Sequence, residues 1–370
     1  MLHIFAIILI LHGLIHLLGF AKGSGFAELP EFTQPVSYTQ GLLWLLAAAL
    51  FVSSAVALYL WPRGWWVIAA AAVVVSTPLI LGAWADAWAG AIANALVLVG
   101  VVFGGLTYGP GSLHASYVHD VGQVRARATA TPVTLLTEAD LAVLPEVVQR
   151  YVRLTGAVGQ PRVQNYRVRM HGRIRSGPEA RWMSFTVDQH SDVDRPTRLF
   201  YMTASMFGVP AQGLHRYIDG EATMRVKAAA LVPVVDLAGP DMTRAETVTL
   251  FNDLTIMAPG ALVDPAITWE SADGLHVRAA FTNAGHTIRA ELVFNDAGEL
   301  VDFLSDDRLA ATPDGRGMVP MPWSTPLREY RSFGAHRLAS RGEGRWHAPD
   351  GQYVYLELVL DDVAYNVWTR

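Results

Sequence analysis

The sequence contains no cysteine among its 370 residues. Disulfide bonds, cysteine-ligated zinc, iron–sulfur clusters and thiol nucleophiles are therefore excluded. Also missing are the motifs G-x-S-x-G and H-E-x-x-H, the P-loop, and a G-x-G-x-x-G between a strand and a helix. The basic residues form no dense block and the formal net charge is -5, so no nucleic-acid partner is predicted. These absences favour a binding role over an enzymatic one and point to no particular cofactor.

Charged residues are also scarce, at 16% of the chain against about a quarter in soluble domains. The deficit lies in the N-terminal part, where the charged residues before Asp120 are Lys22, Glu28, Glu31, Arg63 and Asp86. The mean hydropathy of the chain is +0.27. We therefore expect a transmembrane four-helix region over residues 1–110, a linker over 111–136, and a soluble, mainly β domain over 137–370.

Four N-terminal segments are long and apolar enough to span a membrane. Each supplies about twenty uncharged residues, the length that crosses about 30 Å of hydrocarbon: Met1–Ala21, Tyr38–Trp61, Trp65–Ala85 and Ala87–Tyr108. The first lacks the basic start and the cleavage site of a signal peptide, so we expect it to remain as a helix. Basic residues on the side of the two termini favour a multi-pass protein of the bacterial inner membrane with its soluble domain in the cytoplasm.

A histidine pair lies within the first predicted span. His12 and His16 are four residues apart, so they share one face of a helix. Such an intramembrane pair predicts a metal, haem or proton-transfer site. The alternative is that both imidazoles are neutral and bond to polar groups of neighbouring spans, such as Asn94, Ser76 or Thr77. No Asp, Glu or His within another span offers a third ligand, which leaves Asp86 at a helix end as a possible partner.

The C-terminal part has the pattern of an antiparallel sheet. From Arg162 onward, apolar and polar residues alternate with a period of two, and Asp219-Gly220 and Asp273-Gly274 supply tight turns between the segments. Before the strands, Thr137 and Pro145 are placed to begin two helical pieces. Many hairpin-linked strands without alternating helices predict one large curved sheet, an α+β domain that is mainly β.

One helical segment interrupts the strands. The motif of a capping box is present in Thr243-Arg244-Ala245-Glu246 and predicts a helix that begins at Thr243. We therefore interpret Glu246 as a helix cap rather than a catalytic residue. Asn252 and Asp253 on this helix could face a cavity or solvent. A helix that crosses the sheet leaves an apolar space where a lipid could bind, although a fully packed core is the alternative. Aromatic and apolar residues of this region are the predicted lining: Trp182, Phe185, Phe251, Leu254, Trp269 and Trp323.

Several segments resemble a family of uncharacterised bacterial membrane proteins. They include RYVRLTGAVGQP, YIDGEATM, LVPVVDLAGPDM, LVFNDAGELVDF and, near the N-terminus, HGLIHLLGFAKG. The resemblance implies four N-terminal transmembrane helices and a C-terminal domain similar to the lipoprotein-carrier half-barrel, a curved antiparallel sheet with helices in its mouth. Carriers of that style work outside the cytoplasmic membrane, so the side of the membrane stays open. The resemblance implies no catalytic residues.

Two functions from different classes follow. The first is a membrane-anchored protein that binds or carries a lipid or another apolar small molecule in the half-barrel, with membrane lipids as partners. The alternative is a membrane enzyme or redox protein that uses His12 and His16. Neither reading fixes the identity of the ligand or the oligomeric state.

Overall fold

The chain divides into two units, Met1–Ser116 and Tyr117–Arg370. The computed structural model describes residues 2–30, 32–128, 134–206 and 209–368. Residues 129–133, which belong to the predicted linker, lie outside the described residues.

In the described part of the first unit, four helices are long and apolar enough to cross a membrane. They are α1 (Leu2–Gly23), α2 (Tyr38–Leu60), α3 (Trp65–Gly82) and α4 (Trp84–Tyr108). Their bounds agree with the predicted spans to within a few residues at each end. A single residue separates α3 from α4, because the turn falls at Ala83 rather than at the predicted Trp84–Asp86.

Close approach between α1 and α2 depends on a glycine. A Cβ added to Gly19 would lie 2.4 Å from the indole ring of Trp44 on α2, so a larger residue there would push the helices apart. Small residues let neighbouring helices approach in this way within membranes. Ser37 begins α2 with a capping box that it forms with Gln40.

A fifth helix occupies much of the predicted linker. Helix α5 (Leu113–Arg127) buries Tyr117, Asp120 and Val124, which recur at helical spacing. The carboxylate of Asp120 accepts a hydrogen bond from Nε of Arg216 at 2.9 Å. The sequence predicts a linker over 111–136, so the helix is a finding of the structure.

Two short helices precede the sheet, near the predicted positions. Thr137 caps a 3₁₀ helix (Glu138–Val143) in a capping box with Asp140. Helix α6 (Glu146–Leu154) follows, and Pro145 stands at its N-cap rather than in its first turn.

Among the residues that the structure describes, sixteen strands and one long helix complete the second unit. The strands before the helix are β1 (Asn165–Ile174), β2 (Met183–Asp192), β3 (Thr197–Met206), β4 (Val209–Ile218), β5 (Glu221–Ala228) and β6 (Val232–Ala238). Helix α7 (Pro240–Met257) and a 3₁₀ helix (Pro259–Val263) follow. The remaining strands are β7 (Ile267–Asp273), β8 (His276–Asn283), β9 (His286–Phe294), β10 (Leu300–Ser305), β11 (Leu309–Ala311), β12 (Met318–Pro320), β13 (Trp323–Ser324), β14 (Leu327–Phe333), β15 (His336–Ala348) and β16 (Gly351–Tyr365).

Fourteen of these strands form one antiparallel sheet. Its order is β6-β5-β4-β3-β2-β1-β16-β15-β13-β10-β9-β8-β7, with β14 paired to β15. The first and last strands of the chain, β1 and β16, lie side by side in its centre. Strands β11 and β12 form a separate pair.

The sheet curls around α7. This helix contacts β5 and β6 near one end of the strand order, β9 and β10 near the other, and β15 in between. One helix touches strands so far apart only when the sheet bends around it, which confirms the predicted half-barrel with a crossing helix. Nearly every side chain from Met242 to Met257 is buried, because the helix is enclosed by strands on several sides.

The predicted start of this helix is wrong. Helix α7 begins at Pro240, whose fixed φ suits the first helical position, and Gly239 stands at the N-cap with a φ of +94°. Thr243 and Glu246 therefore lie inside the helix and form no capping box. The Thr243 hydroxyl instead accepts the backbone N–H of Ala222 and donates to the carbonyl of Gly239.

Candidate functional site

A cavity of about 160 Å³ lies between α7 and the concave face of the sheet. Strands β1, β3, β14 and β16 supply most of its apolar wall, and β13, β15 and the last turns of α7 supply the rest. The apolar lining residues are Met170, Ile174, Phe200, Met202, Ile256, Met257, Trp323, Leu327, Leu356, Leu358 and Leu360. Exposed Arg341 also lines the cavity, which marks the side on which it opens.

Of the six predicted lining residues, Trp323 lines this cavity. Phe185 and Leu254 are buried in the core, and Phe251 stacks on Phe281 with ring centroids 5.3 Å apart. Trp269 packs against the edge of the same core. Trp182 lies beneath two guanidinium groups, those of Arg173 at 4.7 Å and Arg175 at 4.6 Å. A period of two identifies the inward face of a strand, but not the part of that face that α7 covers.

Charged side chains form one end of the cavity. Arg198 on β3 is 7% exposed and donates through Nε to Asp253 at 2.7 Å and through Nη1 to Glu246 at 3.0 Å. Both carboxylates stand on α7 and are almost fully buried. We call Arg198, Glu246, Asp253, Arg308 and His215 the buried charge cluster.

Two further members of the cluster are held loosely. Nη2 of Arg308 and Nδ1 of His215 each lie 3.4 Å from the same oxygen, Oε1 of Glu246. These distances exceed those of ordinary charge-assisted hydrogen bonds, about 2.7–2.9 Å. Arg198 is thus the tightly bound partner of Glu246, and Arg308 and His215 are peripheral ones.

Electrostatics fix the charge state of the cluster. Burial by itself would raise the pKa of Glu246, but His215, Arg198 and Arg308 hold the pKa well below its usual range. Burial acts to lower the pKa of Arg198, while Asp253 and Glu246 more than offset this and raise it. Glu246 is therefore a buried anion whose charge is balanced by neighbouring guanidinium groups, and the interpretation of this residue as a helix cap is wrong.

Neutral polar groups extend the cluster along the cavity. The amide Nε2 of Gln189 donates to Asp253 at 2.7 Å, and the hydroxyl of Thr325 donates to Oδ1 of Asn252, also at 2.7 Å. Asn252 and Asp253, which the sequence left open between cavity and solvent, both line the cavity.

Two patterns in the sequence indicate parts of the buried charge cluster. On α7, the cavity-lining residues Glu246, Thr249, Asp253 and Ile256 recur at intervals of three and four. On β3, Arg198 shares its face with Phe200 and Met202, an inward-facing pattern in which a charge requires a buried partner. Neither signal says that the two faces meet.

The histidine pair of the first unit has hydrogen-bond partners in neighbouring helices. His12 Nε2 donates to Oδ1 of Asn94 at 2.8 Å, and His16 Nδ1 donates to the backbone carbonyl of His12 at 2.7 Å. The Ser76 hydroxyl lies 2.7 Å from His16 Nε2, and the Asn94 amide donates to the hydroxyls of Ser76 and Thr77. One neutral tautomer of each imidazole satisfies this network of hydrogen bonds. It is the arrangement expected if both histidines are neutral and bond to polar groups of neighbouring helices.

A metal at His12 and His16 stays a prediction from the sequence. Among the described residues, no group of three His, Asp or Glu side chains is placed to hold a metal ion. Asp86, in the first turn of α4, accepts hydrogen bonds from the Thr33 hydroxyl and the Gln34 backbone, each at 2.8 Å.

The fold and the cavity define a class of protein, a half-barrel with a crossing helix that follows four apolar helices. Residues 134–358 match the model of a family described as a family of unknown function, DUF6544, and the chain belongs to this family. No curated protein matches the sequence.

Two solved structures share limited similarity with the chain. One is a putative outer membrane lipoprotein-sorting protein domain from Vibrio parahaemolyticus, with 9% identity, a TM-score of 0.30, and coverage of 55% of this chain and 86% of that one. The other is a DUF1329 family protein from Desulfovibrio piger, with 12% identity, a TM-score of 0.32, and coverage of 63% and 95%. TM-scores this low support no argument about function.

Proposed function

We propose that the half-barrel binds an apolar or lipidic molecule in the cavity beneath α7. The observation that carries the proposal is the lining, in which apolar side chains from six strands and one helix surround the cavity. Burial of apolar surface contributes about 25 cal/mol per Å², so a hydrocarbon needs no catalytic group to be retained. At about 160 Å³ the cavity is close in size to an apolar cavity that takes up benzene, about 150 Å³. A longer chain would extend out past Arg341.

The four apolar helices suit the same role. Helices of this length and composition hold a protein in a bilayer, where apolar ligands are concentrated. We place the protein in a bacterial inner membrane as a multi-pass protein whose β domain takes its ligand from the lipid phase.

Mass spectrometry of lipids that co-purify with the full-length protein tests the proposal. The unaltered chain is expected to retain a lipid species that Met202→Trp and Ala339→Phe lose, since both substitutions place bulk in the cavity. Trp182→Phe is the matched control, because Trp182 lies outside the cavity lining and contacts Arg173 and Arg175. Circular dichroism establishes that each variant is folded. An identical set of lipids in all four proteins would defeat the proposal.

A further inference from the structure

We propose that the ligand of this cavity carries an oxyanion at the end of its apolar chain, and that Arg308 receives it. The inference rests on the proposed function and adds the chemistry of the ligand's polar end. Fatty carboxylates and alkyl phosphates share that chemistry.

Arg308 is a buried cation with unused hydrogen-bond donors. Its side chain is 10% exposed, and Nε has no hydrogen-bond partner among the described residues. Nη2 lies 3.4 Å from Glu246, and Nη1 lies 3.3 Å from the backbone carbonyl of Leu309. A buried guanidinium with such weak partners is costly, and an oxygen acceptor from a ligand would satisfy it.

Aromatic rings hold this guanidinium in place. Its central carbon lies 5.4 Å from the centre of the Trp323 ring and 5.8 Å from that of Trp346. Contacts through the faces of the rings leave the N–H groups at the edge of the guanidinium available. Arg308 and Trp323 both line the cavity, so the guanidinium borders the space that a bound chain would occupy.

The other charges of the cluster favour an oxyanion over a cation. Asp253 is already bonded to Arg198 and Gln189 at 2.7 Å each, and Glu246 is bonded to Arg198 at 3.0 Å. A cationic head group would find both carboxylates occupied and would meet Arg308. A head group without acceptor oxygens would leave the donors of Arg308 unpaired.

Calorimetric titration of the full-length protein in nanodiscs, with empty nanodiscs subtracted, tests the inference. The probes are decanoate, decyl phosphate, decanol and decyltrimethylammonium. We expect the two anions to bind at least about tenfold more tightly than decanol. A hydrogen bond between a guanidinium and an anion is stronger than one to a neutral hydroxyl, and the difference in free energy corresponds to about that ratio of affinities. Arg308→Gln should reduce the ratio of decanoate to decanol affinity to about one. Arg289→Gln is the matched control and should keep the ratio, because Arg289 lies outside the cavity lining and pairs with Glu270. Arg341→Gln tests the mouth of the cavity separately, because Arg341 lines the open side and pairs with Glu329.

The outcomes separate this inference from the proposed function. Equal binding of decanol and decanoate would overturn the oxyanion and leave the apolar cavity standing, whereas no binding of any probe would overturn both. A preference that Arg341→Gln removes and Arg308→Gln does not would place the head group at the mouth and contradict the inference. The comparison of probes on the unaltered chain decides the matter even if an Arg308 variant does not fold.

Discussion

A buried carboxylate such as Glu246 remains ionised without a large cost to folding only if positively charged or hydrogen-bonding groups contact it. Taking an ion out of water costs several kcal/mol, and a buried pair recovers this through good geometry and additional hydrogen bonds. Glu246 is 1% exposed and is shared by Arg198, Arg308 and His215, so its single charge serves three neighbours. Loss of that charge would leave two guanidinium groups with one carboxylate, that of Asp253.

Glu246→Gln is therefore expected to lower the free energy of unfolding by about 3–5 kcal/mol at neutral pH. Because the pKa of Glu246 is depressed in the fold, its contribution is present above the unfolded pKa of about 4.3 and is lost as the pH falls below that value. Chemical denaturation of the full chain in detergent measures both effects. Glu138→Gln is the control, since the pair of Glu138 and Arg153 is exposed and is worth at most about 1 kcal/mol. Similar losses for the two variants would contradict the prediction.

Asp302 on β10 gives a pH dependence of the opposite sign. Burial raises the pKa of Asp302 to about 6, above its unfolded value of about 3.9. Between pH 4 and pH 6, Asp302 is therefore protonated in the folded chain and ionised in the unfolded chain. The stability that depends on this proton is present below pH 4 and is lost as the pH rises towards 6. Asp302→Asn should raise the free energy of unfolding by about 1–3 kcal/mol at pH 7 and by nearly nothing at pH 4. A pH-independent difference between the two proteins would argue against this assignment.

At the scale of elements, α7 gives the second unit its cavity and its charges. The helix must enter the curl of the sheet directly after β6, and Gly239 makes the turn with a φ of +94° and a ψ of -174°. This region of backbone space is essentially restricted to glycine. Among the described residues other than its two chain neighbours, no atom lies within 4 Å of a Cβ placed on Gly239, so the restriction comes from the backbone conformation rather than from a clash with packed neighbours.

Gly239→Ala is expected to lower the free energy of unfolding by about 1–3 kcal/mol through backbone strain alone. Gly177→Ala is the matched control, because a Cβ there also meets nothing within 4 Å and the backbone has no positive φ. Thermal unfolding of both variants measures the difference. If the two alanine variants unfold at the same temperature, the backbone conformation at Gly239 does not require glycine and the prediction is contradicted.

The helix also marks where sequence reasoning reached its limit. Its existence follows from the helical spacing of Leu250, Phe251, Leu254 and Met257. The start of the helix could not be predicted from the motif. Thr243 and Glu246 match a capping box by residue type, but the helix begins at Pro240 with Gly239 at its N-cap. A local motif cannot reveal that Glu246 meets Arg198, which lies 48 residues away in the chain.

At the scale of the whole molecule, hydropathy and periodicity predict most of the architecture. Four apolar runs became four helices, and alternation with a period of two became one sheet. Of the predicted lining residues, Trp323 lines the cavity and Phe251 lies in the packed core. Strand periodicity assigns faces, but the path of α7 decides which inward residues it covers, and that path depends on tertiary contacts.

Photolabelling tests the central claim, that the half-barrel is hollow to apolar ligands, most directly. Full-length protein in nanodiscs is irradiated with a fatty acid that carries a diazirine on its chain, and the labelled peptides are mapped by mass spectrometry. The predicted result is labelling of the strands and helix around Met202, Ile256 and Leu356, with the label lost on competition by decanoate. Labelling confined to residues 2–108, with none in the β domain, would contradict the account.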